Sequence, residues 1–217
     1  MIVAIDGGVA SGKSAVGRRV AEALGLRFVD SGLMYRAITR LASERGIDPR
    51  DSEAVVKLAE SVRLRLDGER IWADGSELTQ GIYDADHAEA LPMISAIPGV
   101  RQALVAQQRR MGEGGVVMAG RDIGTVVFPN ADHKFFLTAS LEEKVRRRAA
   151  QYERRGERVD EEAMRREVEA RDLVDTQRAV APLRPAPDAV IIDTDGLSIT
   201  SVVDLIVRYV EGRPQPR

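Results

Sequence analysis

Eight residues near the amino end, GGVASGKS at positions 7–14, fill the spacing G-x-x-x-x-G-K-[ST] without a gap. Few folds accommodate such a loop. The run IVAI at 2–5 is wholly apolar, as a strand buried on both faces is, and residues 15–24 carry helical periodicity. Strand, glycine-rich loop and helix in that order turn successive backbone N–H groups, and the positive end of the helix dipole, toward one anion. The expected ligand is a nucleoside triphosphate, held by Gly7, Gly8, Val9, Ala10, Ser11, Gly12, Lys13, Ser14 and Ala15. Lys13 would reach the β and γ oxygens, and the Ser14 hydroxyl would ligate the accompanying Mg2+. Lysine is otherwise confined to positions 57, 134 and 144, with arginine supplying the remaining basic residues. Position 13 is where a compact ammonium on a flexible stem suits the task better than a guanidinium.

The periodicity elsewhere predicts strands at 2–6, 27–30, 116–119, 134–138 and 189–193, and helices at 14–24, 33–45, 100–111, 141–154, 160–178 and 198–211. Alternation of this kind gives an α/β fold, a five-stranded parallel sheet flanked by helices. One stretch breaks it. In VRLRLDGERIWA at 62–73, Val62, Leu64 and Leu66 alternate with polar residues up to Asp67-Gly68, which reads as a two-residue hairpin turn, with Trp72 as an anchor of the insert's core. A chain of 217 residues is then one domain, with 1–47 and 98–217 as core, an antiparallel insert at 48–97 and a helical lid at about 150–165.

Composition removes several classes of function. There is no cysteine, so disulfides, thiolate metal sites and cysteine nucleophiles drop out, and His87 and His133 are too few for a histidine metal site. The net charge of −2 and the scarcity of aromatics argue against a nucleic-acid polymer as partner. The first residues already read as a core strand and no apolar run reaches membrane-spanning length, so a cytoplasmic monomer acting on small molecules, with no membrane partner, is expected.

Three further clusters carry chemistry. In DSGLMYRA at 30–37 a strand end delivers Ser31, which also reads as a helix N-cap, and the next helix presents Arg36. In GRDIGTVVFP at 120–129, Arg121 and Asp122 stand just past the carboxyl end of a buried strand, where open α/β sheets place ligands. In RDLVDTQRAVAPL at 171–183, Arg171, Asp175 and Arg178 are spaced i, i+4, i+7, a cation, anion and cation on one helix face that could equally be a solvated stripe. Phosphoryl transfer needs such converging cations to neutralise the moving group. Arg154, Arg155 and Arg158 around Gly156 add a basic patch where a lid would close. Glu142 and Glu143 stand four residues before Arg146 and Arg147, which makes those two helix-surface pairs and leaves Arg148 for the donor nucleotide.

Taken together behind the loop, DSG-x-x-YRA, GRD-x-GTVVFP and RD-x-x-D-x-x-RAVAPL resemble the bacterial cytidylate kinases over essentially the whole chain. The resemblance implies ATP-dependent phosphorylation of CMP and dCMP. It implies that Ser31 and Arg36 contact the acceptor, with Arg36 on its phosphate, and that Arg101 and Asp122 read the cytosine edge. Arg121 and Arg178 would lie near the phosphates, Arg171 and Asp175 near the acceptor sugar and phosphate, and Lys13, Arg121, Arg171 and Arg178 would stabilise the transition state. Two departures fall in the insert: Tyr83-Asp84 where the family usually has Arg-Thr, and Pro92 where it usually has a base-contacting serine. Rival readings are a P-loop kinase of another acceptor, such as UMP, AMP or a hydroxylated metabolite, and a non-catalytic nucleotide-binding regulator. A guanine-nucleotide switch would carry an Asn-Lys-x-Asp motif, which the sequence lacks.

Overall fold

The computed structural model describes residues 1–84, 89–153, 156 and 160–213. In chain order its elements are β1 (Ile2–Gly7), α1 (Lys13–Leu24), β2 (Arg27–Asp30), α2 (Ser31–Glu44), α3 (Ser52–Ser61), β3 (Leu64–Asp67), β4 (Arg70–Ala73) and β5 (Ser76–Glu77). There follow α4 (Leu91–Ala96), α5 (Pro98–Met111), β6 (Val116–Gly120), a single π-helical turn (Ile123–Val127), β7 (His133–Thr138), α6 (Leu141–Glu153), α7 (Glu161–Gln177), β8 (Val190–Asp193) and α8 (Ile199–Val210).

The five long-range strands form one parallel sheet in the order β2-β6-β1-β7-β8, with β1 central. Alternate residues of β1 serve opposite faces. Val3 and Ile5 pack with Val16, Val20, Val202 and Ile206 of α1 and α8, while Ala4 joins Val29, Met118, Ile123 and Val127 on the other side. β8 forms one edge of the sheet, where no further strand pairs among the described residues, and there Ile191 is 60% exposed.

The insert has its own core. Met34, Ile38, Val55, Ile71, Ile94 and Leu104 meet in it, so α2 and α5, on either side of the 48–97 segment, bury one face against the insert itself. β3, β4 and β5 form a separate antiparallel sheet in that order. Its first turn differs by one residue from the sequence expectation. Asp67 pairs with Arg70, so the two-residue loop is Gly68-Glu69, and Gly68 takes the positive φ of 60° that the first position of a primed turn requires. Trp72 is not a core anchor. It pairs with Arg65 on the outer face, with the Arg65 guanidinium 3.6 Å and that of Arg70 4.8 Å from its ring centroid, while Ile71 and Ala73 point inward. The helix α3 went unread although Asp51 caps it, accepting from Ala54 N at 3.0 Å, and Val55, Leu58 and Ala59 bury one stripe.

Parallel strands send all their carboxyl ends to one edge of the sheet. The loop after β1, the start of α2 after β2 and the Arg121-Asp122 pair after β6 therefore meet there without any being adjacent in sequence.

Candidate active site

The loop at 7–14 is formed. Gly7 ends β1 with so little room that a Cβ would stand 2.6 Å from Leu137 O, and Gly12 caps α1 at φ 89°. Ala10 also takes a positive φ, 53°, and the fully buried Ser11 has an Oγ without a hydrogen-bond partner among the described residues. Lys13 Nζ donates to Gly8 O at 2.8 Å, folding the side chain back over the loop. Burial, helped by the neighbouring Arg121 charge, lowers Lys13 to about 8 against the pull of Asp30, Asp175 and Asp172. Among the described residues no group of three or more His, Asp or Glu is arranged to hold a metal alone. Ser14 stands in the first turn of α1, where its hydroxyl could serve a cation carried mainly by phosphate and water oxygens.

Beside the loop lies a cavity of about 970 Å³ lined by Arg36, Arg101, Arg121, Arg148, Arg171 and Arg178, together with Ser31, Tyr35, Tyr83, Pro92, Asp122 and Asp175. Its wall holds a buried ion pair. Arg101 Nη2 contacts Asp122 Oδ2, Arg101 Nη1 donates to Ser95 O at 3.0 Å, and the guanidinium lies 5.1 Å from the Tyr35 ring centroid. Burial pushes the Tyr35 phenol up to about 12, so it stays a neutral wall. The cavity wall also carries a cluster around Asp175, only 1% exposed. Arg121 Nε contacts one carboxylate oxygen, Arg171 Nε lies 3.5 Å from the same oxygen and Arg178 Nη1 lies 3.4 Å from the other. Burial works to raise the Asp175 carboxyl, but Arg121, Arg171 and Arg178 outweigh it and hold it below its usual value. Burial and the Arg121 charge bring Arg171 down to about 10, still fully charged near neutrality. Three guanidiniums sharing one carboxylate leave a surplus of positive charge facing the cavity, suited to an oxygen-rich anion.

The walls are fastened to β1 and to the loop. Asp6 accepts from Ile123 N and Gly124 N, both at 2.8 Å, which fixes the π-helical turn that begins right after Asp122. Burial carries the Asp6 carboxyl up to about 7 against the pull of those two N–H groups. Asp172 on α7 accepts from Val9 N at 3.1 Å and pairs with Lys144 of α6 at 2.6 Å. A Cβ on Gly8 would stand 2.8 Å from its Oδ1, so Asp172 closes against the loop only because residue 8 is glycine.

A loop of phosphate-binding form beside a large, arginine-lined cavity suits phosphorylated ligands, and comparison with known proteins is specific about the family. Residues 3–212 match the family described as cytidylate kinase. The chain belongs to the cytidylate kinase family. It is 45% identical over 213 residues to the cytidylate kinase of Desulforamulus reducens, covering 96% of each. It is 48% identical over 215 residues to the bifunctional pantoate ligase/cytidylate kinase of Synechococcus sp. (strain JA-3-3Ab), covering 95% of this chain but 40% of that protein. The chain thus spans about two fifths of the length of the bifunctional relatives it matches. A solved structure of an uncharacterized protein from Eubacterium ventriosum shares the fold at a TM-score of 0.53 and 15% identity, covering 98% of this chain and 99% of that one.

Within this cytidylate kinase family site, Ser31, Arg36, Arg101, Arg121, Asp122, Arg171, Asp175 and Arg178 all line the one cavity, so the structure brings together what the sequence scattered over four segments. Ser31 is not the N-cap of α2. Asp30 is, accepting from Gly32 N at 2.9 Å, and the Ser31 hydroxyl instead donates to Ala119 O at 2.9 Å. The stretch from Arg171 to Arg178 is no solvated stripe, given the burial of Asp175. Arg148, expected on the donor nucleotide, has a carboxylate neighbour in the structure. It lines the cavity and pairs with Glu167 at 2.8 Å, whereas Arg147 turns the other way, with Nη1 3.7 Å from where a Gly12 Cβ would stand and with hydrogen bonds to Thr194 Oγ1 (2.9 Å) and O (2.7 Å). Glu143 takes both Arg146 (2.6 Å) and Arg147 (2.7 Å), and Glu142 reaches Arg165 of α7 instead. His87 and the patch of Arg154, Arg155 and Arg158 lie outside the described residues.

Asp6 and Asp172 were missed by sequence reading. Asp172 joins α7, which carries Arg171 and Asp175, to the phosphate loop, so Asp172→Ala is expected to raise the KM values for both ATP and the acceptor by about 10-fold, the scale of a charged hydrogen bond. Steady-state kinetics with each substrate varied in turn would measure this. Two unchanged KM values would show the contact to be incidental.

Proposed function

We propose that this chain transfers the γ-phosphoryl group of ATP to CMP or dCMP, yielding ADP and CDP or dCDP. The observation that supports this most is the buried Arg101–Asp122 pair and the Asp175 arginine cluster lining one cavity, in a chain matched to the cytidylate kinase family from residue 3 to 212. Cytosine offers an exocyclic amine donor and adjacent acceptors, which a carboxylate and a guanidinium complement. Asp122 would accept from the amine and Arg101 would donate to the ring.

In this reading a phosphate oxygen of the acceptor attacks the γ-phosphorus in line. The new P–O bond forms as the bond to the β-bridging oxygen breaks, and ADP leaves with those electrons. The attacking oxygen is already anionic, so no general base is needed. Gly7 to Ala15 hold the donor phosphates, Ser14 would ligate Mg2+, and that ion would offset part of the triphosphate charge. Lys13, Arg121, Arg171 and Arg178 stabilise charge on the transferring group. Ser31 and Arg36 take the acceptor nucleotide, Arg36 on its phosphate, while Arg171 and Asp175 lie toward its sugar and phosphate. Arg147, beside Gly12 and Thr194, stands on the donor side where Arg148 was expected. Segment 48–97 supplies the acceptor half; of the lid expected at about 150–165, residues 154, 155 and 157–159 lie outside the described residues. The same reading makes the protein a cytoplasmic monomer, and no helix among the described residues is long and apolar enough to cross a membrane.

Measuring ADP release with each common nucleoside and deoxynucleoside monophosphate tests the assignment. CMP and dCMP are expected to lead, and turnover with AMP or UMP but not CMP would overturn it. Pro92 lines the cavity without a hydroxyl, and the Ser95 hydroxyl is committed as a donor to Pro92 O at 3.1 Å. Pro92→Ser, at the second residue of α4 where either residue suits the helix, is expected to raise the CMP over UMP ratio of kcat/KM by about 2- to 10-fold, the value of one hydrogen bond. An unchanged ratio would remove any role for this position.

A further inference from the structure

Five of the six arginines of the cavity face a carboxylate: Arg101 faces Asp122, Arg148 faces Glu167, and Arg121, Arg171 and Arg178 share Asp175. Arg36 differs. No carboxylate pairs with it among the described residues; its guanidinium carbon lies 4.7 Å from the centroid of the Tyr83 ring. Burial lowers its pKa, and the opposing pull of Tyr83 and of Asp30, which is too far for an ion pair, does not make up for it.

An aromatic face and a carboxylate do different things to a guanidinium. A carboxylate occupies its N–H edge and cancels its charge, so an incoming phosphate must displace it. A ring holds the plane from one side, fixes its tilt and leaves charge and N–H edge available.

Tyr83 is itself held in place. The preceding Ile82 is 3% exposed within the insert core, and Gly81 turns the chain at φ 77°. Arg40, one turn beyond Arg36 on α2, donates to Leu78 O at 3.0 Å and to Gln80 O. Helix α2 therefore grips the loop through Arg40 and meets its ring through Arg36. The Tyr83 ring lies at the cavity rim with the residue 47% exposed, so core packing does not account for an aromatic there.

We propose that Tyr83 is a positioning residue that presents Arg36, edge free, to the phosphate group of the acceptor nucleotide. This rests on the reading of the cavity as the acceptor site. It makes the phosphate, not the base or sugar, the part of the acceptor that depends on residue 83.

The test compares Tyr83→Leu and Tyr83→Phe with wild type, varying CMP and ATP separately, and repeats Tyr83→Leu in an Arg36→Met background. Tyr83→Leu is expected to raise KM for CMP by about 3- to 20-fold, the range of a partly buried cation–π contact, with KM for ATP unmoved. Tyr83→Phe, which keeps the ring, restores the wild-type KM for CMP. In Arg36→Met the Tyr83→Leu effect disappears. An unchanged KM for CMP in Tyr83→Leu, an equal defect in Tyr83→Phe, or an undiminished effect in Arg36→Met would each overturn the proposal. Should wild type prefer another monophosphate, the cytidylate assignment alone fails, and the same comparison with that acceptor still decides Tyr83. Turnover of no monophosphate would sink both.

Discussion

Lys13→Ala is expected to lose turnover by on the order of 10²–10³-fold, the usual consequence of removing one preorganised charge from a transferring group, while the protein stays folded. The second half follows from the same burial that makes the first half possible. Lys13 is drawn down to about 8 from the usual 10.5 because burial, together with the Arg121 charge, penalises its ammonium. A residue charged at a cost in the empty site is retained for a ligand that repays that cost, and alanine relieves it. The melting temperature of Lys13→Ala is therefore expected at or slightly above wild type, with kcat collapsed. A variant that keeps wild-type kcat would remove Lys13 from the mechanism.

The depressed Lys13 value fixes a pH signature and its sign. The folded form sheds this proton near pH 8 and the unfolded chain only near 10.5, so across that window stability contributed by Lys13 rises with pH. Donor affinity moves oppositely. Triphosphate binds the ammonium form, so kcat/KM for ATP falls as pH is raised above about 8, and binding there takes up a proton. A profile flat from pH 7 to 9.5 would contradict this, and calorimetry of ATP binding in buffers of different ionisation enthalpy reads the uptake directly.

How far the sequence carries depends on whether a feature is local. The strand, loop and helix around Gly7 to Ser14 are local, and so is the alternation that predicts a parallel sheet; even the weakly patterned β2 has its predicted bounds, Arg27–Asp30. Trp72 could have been placed from parity alone. Either position of the hairpin loop sets residue 72 opposite an arginine on the outer face, because the period of two outranks the size of the indole. The exchange of Arg147 and Arg148 is different, because helix rotation is set by tertiary packing. Val145 is buried against Met164 and Val168 of α7. Arg148, three residues on, follows Val145 toward α7 and Glu167, whereas Arg147, roughly 200° round from Val145, faces Thr194 and the phosphate loop. Asp6 and Asp172 have partners 117 and 163 residues away, so nothing in their own neighbourhoods announces them. The charged residues that line the cavity were legible by type; which neighbour each one touches was not.

Asp175→Asn is expected to be the most damaging conservative change in the site. The side chain keeps its shape and loses its charge beneath Arg121, Arg171 and Arg178, in a place where the residue is 1% exposed. Removing one partner from a buried ion cluster costs about 3–5 kcal/mol, and for a chain of this size that is a fall in melting temperature of roughly 6–20 °C. The sign with pH follows from the carboxyl being held below its usual 3.8: its contribution is complete above that value and is lost as pH falls through the lower folded value, so at pH 7 the wild type has all of it to lose. The three guanidiniums, now repelling one another without an anion between them, should bind an added anion more eagerly than before. Inorganic phosphate at tens of millimolar is therefore expected to raise the melting temperature of Asp175→Asn more than that of wild type, without restoring turnover. Those two results together separate a loss of charge from a loss of packing, since a packing defect would not be mended by phosphate. A melting temperature within 2 °C of wild type would mean that the arginines are held apart by other contacts, and that Asp175 is not the centre of the cluster.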